Sequence, residues 1–297
     1  MKPGDTVGVV APAAAVERDH LARGVEALGA MGFRVRVSDR ALARDGVLAG
    51  SDRERADELQ AFFADPDIRA VFAARGGYGC GRILPLLDFD ALALTPKPFV
   101  GFSDATFILN ALVERANMIA FHGPMVAMDF ARGLSFRSIE HMRAMLTGEM
   151  TRIEFPAHES VHPGCGEGAL VGGCLSVVVA SIGTPFAPDF DGKILFLEDT
   201  GEKAYRIDRM LVQLRQSGAL ARCAAIVFGA IRPLNNDQSE ARLIARFIAE
   251  QTRGLDRPVI FGIEAGHGTE NLTLPFGAHA IVDADARRLV ISEAVVE

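Results

Sequence analysis

The chain lacks most of what a nucleic-acid or membrane protein needs. It has no basic excess: 31 Lys and Arg stand against 38 Asp and Glu, a formal net charge of −7 that disfavours nucleic acid as a partner. No segment approaches the unbroken apolar length of a membrane span. The N-terminus, Met1-Lys2-Pro3-Gly4-Asp5, lacks the apolar core of a secretion signal, so the expectation is a cytoplasmic protein. Cys80, Cys165, Cys174 and Cys223 are scattered without a C-x-x-C pair, as in a protein that keeps its thiols reduced. There is no G-x-x-x-x-G-K-[ST] loop, and the turn after the first strand is not rich in glycine; nucleotide cofactors therefore have no signature here, and no cofactor is expected. Internal repeats and low-complexity tracts are absent as well.

What remains is an ordinary globular composition, 49% hydrophobic and 23% charged, long enough at 297 residues for two modest domains. Short apolar runs alternate with helical spacing. Thr6–Ala11, Phe33–Val37, Ile68–Ala74, Phe99–Phe102 and Met118–Phe121 read as strands; Glu17–Met31, Ser51–Ala64 and Ala105–Arg115 read as helices between them. That alternation predicts a parallel sheet with helices on its faces. From Thr147 to Gly168 prolines and glycines crowd among polar residues, which predicts a linker between a domain over 1–146 and another over 169–297. In the second part, Lys193–Leu197, Ala224–Phe228 and Val259–Ile263 read as strands, Arg206–Gln216 and Ser239–Glu250 as helices, and Ala278–Val295 as a β-hairpin. The expected class is α/β, with more mixed β-structure in the second domain.

Four features could carry chemistry. In Phe99-Val100-Gly101-Phe102-Ser103-Asp104-Ala105 an apolar run ends in a glycine and a Ser-Asp pair, predicting a strand that bends sharply into a helix. A serine exposed at such a bend can be a nucleophile, with helix N–H groups facing a developing oxyanion. Ser103 or Asp104 can equally cap the helix, and the two uses need not exclude each other. Arg75-Gly76-Gly77-Tyr78-Gly79-Cys80-Gly81-Arg82 follows a strand and suits close approach of backbone to a ligand, or simply a tight turn. Glu198 and Asp199 follow the run Ile194–Leu197, where a carboxylate can orient a histidine or merely face solvent. His267, between Gly266 and Gly268 and just past another strand, is the best placed of seven histidines to act as a general base.

His158-Glu159-Ser160-Val161-His162 matches H-E-x-x-H, but zinc proteases need that motif inside a helix, and Pro156 and Pro163 leave no room for one; no metal is expected. Ser103, Glu198 and His267 together form a nucleophile–acid–base set in the chain order of the α/β-hydrolases, although Ala105 stands where G-x-S-x-G requires its last glycine. His267 would take the proton of Ser103, Glu198 would hold the imidazole, and the N–H of Asp104 would face the oxyanion.

The chain resembles the serine L,D-carboxypeptidases of cell-wall recycling, the muramoyltetrapeptide carboxypeptidases, a family that includes microcin-immunity peptidases. The resemblance runs from Gly4-Asp5-Thr6 through Ala74–Gly79, Gly101–Thr106, His122-Gly123-Pro124-Met125, Gly183-Thr184-Pro185, Leu195–Asp199 and Tyr205–Arg209 to Gly266-His267-Gly268 and Asn271–Pro275. It implies a Ser103–Glu198–His267 triad completed across the junction of a flavodoxin-like N-terminal domain and a smaller mixed β/α domain. It implies release of terminal D-alanine from a murein tetrapeptide through an acyl-enzyme, with diaminopimelate or lysine before the bond, in a cytoplasmic homodimer. Gly77 N–H is the implied second oxyanion donor. Arg75, Arg206 and Arg232 are candidates for gripping the substrate carboxylate, with Tyr78 beside them as a further substrate contact. Cys174 stands where the family usually carries Asn, and the chain has no Trp. The microcin-immunity branch uses an aromatic platform, notably Trp, so its absence favours murein peptides over an aminoacyl-nucleotide-like conjugate. A non-catalytic peptide binder is the alternative from another class.

Overall fold

The computed structural model describes residues 1–150, 152–291 and 295–296. The chain divides into two compact units, each with its own sheet. The first holds Met1–Glu149, to which Leu272–Pro275 and residues 295–296 return. Its elements alternate as the spacing predicts: β1 (Thr6–Val10), α1 (Arg18–Ala30), β2 (Arg34–Val37), α2 (Asp52–Ala64), β3 (Ile68–Ala73), α3 (Cys80–Ile83), α4 (Phe89–Leu94), β4 (Phe99–Gly101), α5 (Thr106–Ala116), β5 (Ala120–His122) and α6 (Phe136–Thr147). Local sequence sets the boundaries. Ser51 and Glu54 form a reciprocal capping box at the start of α2. Asn117, left-handed at φ 50°, stops α5.

β1 to β5 are all parallel, in the order β2-β1-β3-β4-β5, and the late segment Leu274–Phe276 adds a sixth strand beside β5. This is the flavodoxin-like order, whose switch point lies between β1 and β3. Val7, Val9, Val71, Phe72, Phe99 and Val100 are completely buried, as strands covered on both faces require. The loops that leave the carboxyl ends of β1, β3 and β4 are Pro12–Val16, the glycine-rich run from Arg75 and the bend at Ser103.

The second unit contains β6 (Ile153–Pro156), β7 (Glu159–His162), β8 (Cys165–Cys174), α7 (Leu175–Ser181), β9 (Ile194–Glu202), α8 (Ala204–Gln216), α9 (Ala219–Arg222), β10 (Ala225–Pro233), α10 (Gln238–Thr252) and β11 (Val259–Phe261). After β12 (Leu274–Phe276), the strand given to the first sheet, come β13 (His279–Asp283) and β14 (Arg288–Ile291). Eight strands run β6-β14-β13-β8-β9-β10-β11-β7. The central β8 to β11 are parallel, and the flanking pairs are antiparallel. Leu211 and Leu214 of α8 and Ile244 and Ile248 of α10 share a core with Leu195, Leu197, Ile226 and Phe228 of the strands. Among the described residues, no helix is long and apolar enough to cross a membrane.

Three expectations change. The stretch 147–168 is not a bare linker: β6, β7 and the start of β8 occupy it and pair into the second sheet. Gly166 and Gly168 are clearances, since a Cβ there would lie 2.4 Å from Ala224 O and 2.2 Å from Gly192 O respectively. β9 continues five residues beyond Leu197, because Cys174 of β8 and Ile231, Arg232 and Pro233 of β10 extend the ladder past the apolar run. The final hairpin is formed by β13 and β14, paired from Ala280–Ile291 to Asp283–Arg288. Residues 292–294 of the expected hairpin lie outside the described residues, and Val295 belongs with the first unit.

Candidate active site

In the first unit the chain bends at Ser103, which sits at φ 59°. A serine in the left-handed region costs roughly 1–2 kcal/mol, so the surrounding structure must hold it there. Phe102 helps: its ring meets the buried His122 ring edge-on, with centroids 5.7 Å apart. Gly76 helps from the other side. A Cβ on Gly76 would lie 2.8 Å from Ser103 Cβ and 3.2 Å from Asp104 N, so only glycine lets the loop press against the bend. Gly77 N–H takes no backbone acceptor among the described residues. Strand, sharp bend and helix therefore follow one another as a nucleophile requires, although G-x-S-x-G is incomplete.

Capping is not how the Ser-Asp pair is used. Neither the 3-10 turn Ser103–Ala105 nor α5 has a side-chain cap. The Asp104 carboxylate instead accepts the backbone N–H of Cys80, 2.7 Å away. Burial pushes the Asp104 carboxyl above its ordinary range. The Cys80 thiol is driven far up by burial and by Asp104, which leaves it without nucleophilic character at neutral pH.

In the second unit Glu198 and His267 come together. Glu198 is fully buried within β9, not solvated at a strand end. Its Oε2 lies 2.7 Å from His267 Nδ1 and accepts the His267 backbone N–H at 3.0 Å. The histidine loop is shaped for this contact: Gly266 has φ 93°, and a Cβ there would lie 2.4 Å from Glu198 Oε2. Asn271 Oδ1 accepts Gly266 N–H at 2.9 Å and closes the loop. Sequence reading passed over Asn271 as a loop anchor, although it stands in a motif string; nothing local marks which polar residue of a loop turns inward.

Asp199 shares the burial of its neighbour but faces other partners. Its carboxylate accepts Ser176 N–H at 2.8 Å and Thr200 N–H at 2.7 Å. Burial, and then the nearby Glu198, raise its pKa to about 6. Cys174 is the register partner of Glu198 on β8, its Sγ 3.3 Å from Ser176 Oγ, and its thiol is pushed well up by burial and by Asp199.

The remaining candidates divide between the units. In the first, Arg75 Nη1 donates to Ala15 O at 3.1 Å, and Tyr78 is exposed on the glycine-rich loop. In the second, Arg206 is an exposed residue of α8, paired with Glu202 at 3.3 Å. Arg232 reaches the histidine loop and donates to Thr269 Oγ1 at 2.7 Å. The H-E-x-x-H segment is not helical: Glu159–His162 is the strand β7, and His162 Nε2 lies 3.0 Å from Thr252 Oγ1.

Comparison with known proteins agrees with this architecture. Residues 7–123 match the LD-carboxypeptidase N-terminal domain and residues 167–282 the LD-carboxypeptidase C-terminal domain. The murein tetrapeptide carboxypeptidase of Pseudomonas aeruginosa is 33% identical, over 95% of this chain and 94% of its own. The microcin C7 self-immunity protein MccF of Escherichia coli is 28% identical, over 98% of this chain and 94% of its own. The crystal structure of muramoyltetrapeptide carboxypeptidase from Oxalobacter formigenes superposes with a TM-score of 0.85 at 32% identity, covering 96% of this chain and 97% of that one. With both domains matched in order, the chain belongs to the LD-carboxypeptidase family and is a serine carboxypeptidase.

Proposed function

We propose that the protein hydrolyses the bond between the L-centre of a diamino acid and a terminal D-alanine in murein tetrapeptides, in the cytoplasm during peptidoglycan recycling, with Ser103, Glu198 and His267 as its triad. The observation that carries the reading is the contact of the buried Glu198 with the half-buried His267 at 2.7 Å. A buried carboxylate that receives both Nδ1 and the backbone N–H of one histidine fixes ring orientation and favours the imidazolium. With Nδ1 engaged, His267 exchanges the Ser103 proton at Nε2. Ser103 Oγ attacks the scissile carbonyl, and the oxyanion accepts hydrogen bonds from the N–H groups of Asp104 and Gly77. His267 returns the proton to the D-alanine amine as it leaves. Water then attacks the acyl-enzyme with His267 as base, and collapse of the second oxyanion frees Ser103.

The carboxylate of the substrate needs a cation, and Arg232 is favoured by its hydrogen bond to Thr269 in the histidine loop. Similarity to a microcin self-immunity protein keeps an aminoacyl-nucleotide-like conjugate as the second reading. The absence of Trp from the chain speaks against an aromatic platform of the kind that would stack a base. The test measures D-alanine release from murein tetrapeptides with diaminopimelate or lysine, against tripeptide, pentapeptide and aminoacyl-sulfamoyl adenosine controls. The expected result is turnover of tetrapeptide only, reduced by about 10⁴-fold or more in Ser103→Ala. Undiminished turnover in that variant would end the triad proposal.

A further inference from the structure

The aspartate after the bend makes a contact that neither capping nor the triad uses. Asp104 Oδ2 takes the N–H of Cys80, the first residue of α3 and the end of the glycine-rich loop. The carbonyl of the same peptide unit, Gly79 O, is held from the other side by Arg55 Nη1 at 2.9 Å. Arg55 is only 2% exposed; its Nη1 also donates to Pro12 O, and its Nη2 pairs with Asp52. Asp52 in turn receives both Nε and Nη2 of Arg82 from α3, at 2.8–3.0 Å. One peptide plane is thus gripped at both ends, by a buried cation and a buried carboxylate. Neutral partners would suffice to satisfy that plane, and burying charge for it carries a desolvation cost. Such an arrangement fixes orientation.

We propose that the Asp104 side chain is a positioning residue for the oxyanion hole. By holding the Gly79–Cys80 peptide, it sets the glycine-rich loop, and with it Gly77 N–H, against the bend that carries Ser103 and Asp104 N–H. One residue then supplies one donor through its backbone and places the other through its carboxylate. The inference rests on the reading of Ser103 as nucleophile. Its physical basis is the intimacy of loop and bend, since Gly76 has no room for a Cβ beside Ser103. A displacement of about 1 Å between reacting and stabilising groups can cost roughly 10²-fold in rate.

Asp104→Asn still presents an oxygen to Cys80 N–H, whereas Asp104→Ala presents none. Each is assayed for D-alanine release and for the rate at which a fluorophosphonate modifies Ser103, with circular dichroism to establish folding. In Asp104→Ala, kcat and the phosphonylation rate are expected to fall together by about 30- to 100-fold, with KM held within about threefold. Asp104→Asn is expected to recover kcat to within about fivefold of the parent. The proposal is overturned if folded Asp104→Ala keeps kcat within about threefold, if its loss lies in KM alone, or if Asn restores nothing. Should the alanine variant not fold, Asp104→Ser, whose hydroxyl stops short of Cys80, takes its place in the comparison. Failure of the underlying reading looks different: the parent protein would not be modified at Ser103, whatever stands at position 104.

Discussion

The bend at Ser103 and the Glu198–His267 pair are built by different means. Around Ser103 the polar contacts run from side chain to backbone: Asp104 holds Cys80 N–H, Arg55 holds Gly79 O, and the serine sits in a left-handed conformation. Around His267 the decisive contact is side chain to side chain, and the backbone supports it by donating the His267 N–H to Glu198 and the Gly266 N–H to Asn271 and by leaving space at Gly266. Within the pair, the Glu198 side chain is fully buried and that of His267 is 20% exposed. In the proposed mechanism the bend is the oxyanion site, whose donors must be aimed before charge develops, and constrained main chain meets that need. His267 is the proposed proton carrier, which needs one nitrogen anchored while the ring stays within reach of substrate, and a buried carboxylate meets that need.

That contrast can be broken at several points. Glu198→Gln replaces the anchor by an amide that can present a donor to Nδ1, and kcat for D-alanine release is expected to fall about 10³- to 10⁴-fold. A loss below about tenfold would mean that Glu198 does not set the imidazole. Glycine substitutions separate the two plans. Gly266→Ala forces a Cβ into Glu198 and should lower kcat by about 10²- to 10³-fold. Gly76→Ala presses on Ser103 and Asp104 N and should cost up to about 10²-fold. Fluorophosphonate modification reads the difference: slowing in Gly76→Ala should match the fall in kcat, and a normal modification rate with impaired turnover would contradict it.

The smallest effect concerns stability. The folded protein holds the Asp199 proton more tightly than the unfolded chain does, with a pKa of about 6 against 3.8. Folding therefore binds a proton between these values, and this group's contribution to stability falls as pH rises through that window. Asp199→Asn keeps an acceptor for Ser176 and Thr200 but cannot ionise. Urea midpoints at pH 4 and pH 7 should show a decline in the parent, on the order of 2 kcal/mol, that the variant lacks. Parallel profiles would show that Asp199 ionises in the fold as readily as in the unfolded chain.

Much of the first unit is legible in sequence because its signals are local. β-branched runs, the helical spacing from Ser51 and the glycine shortly before Ser103 each act within a few residues. What escapes is set by partners distant in the chain. Glu198 and Asp199 read as carboxylates at the end of a strand, yet neighbouring strands carry β9 on to Glu202 and bury both. The glycines near 166 read as a linker because their purpose, clearance beneath Ala224 and Gly192, exists only once the sheet is assembled. Asp104 reads as a cap, and its partner Cys80 lies 24 residues earlier in sequence. The return of Leu272–Pro275 to the first unit has no sequence marker at all.

The central claim, that Ser103 is the nucleophile, is tested most directly by treating active protein with a fluorophosphonate and mapping the adduct by peptide mass spectrometry. A single phosphonyl group on Ser103 is expected, gained in step with the loss of D-alanine release and slowed when His267 is replaced by alanine. An adduct on another residue, or full inactivation with Ser103 unmodified, would contradict it.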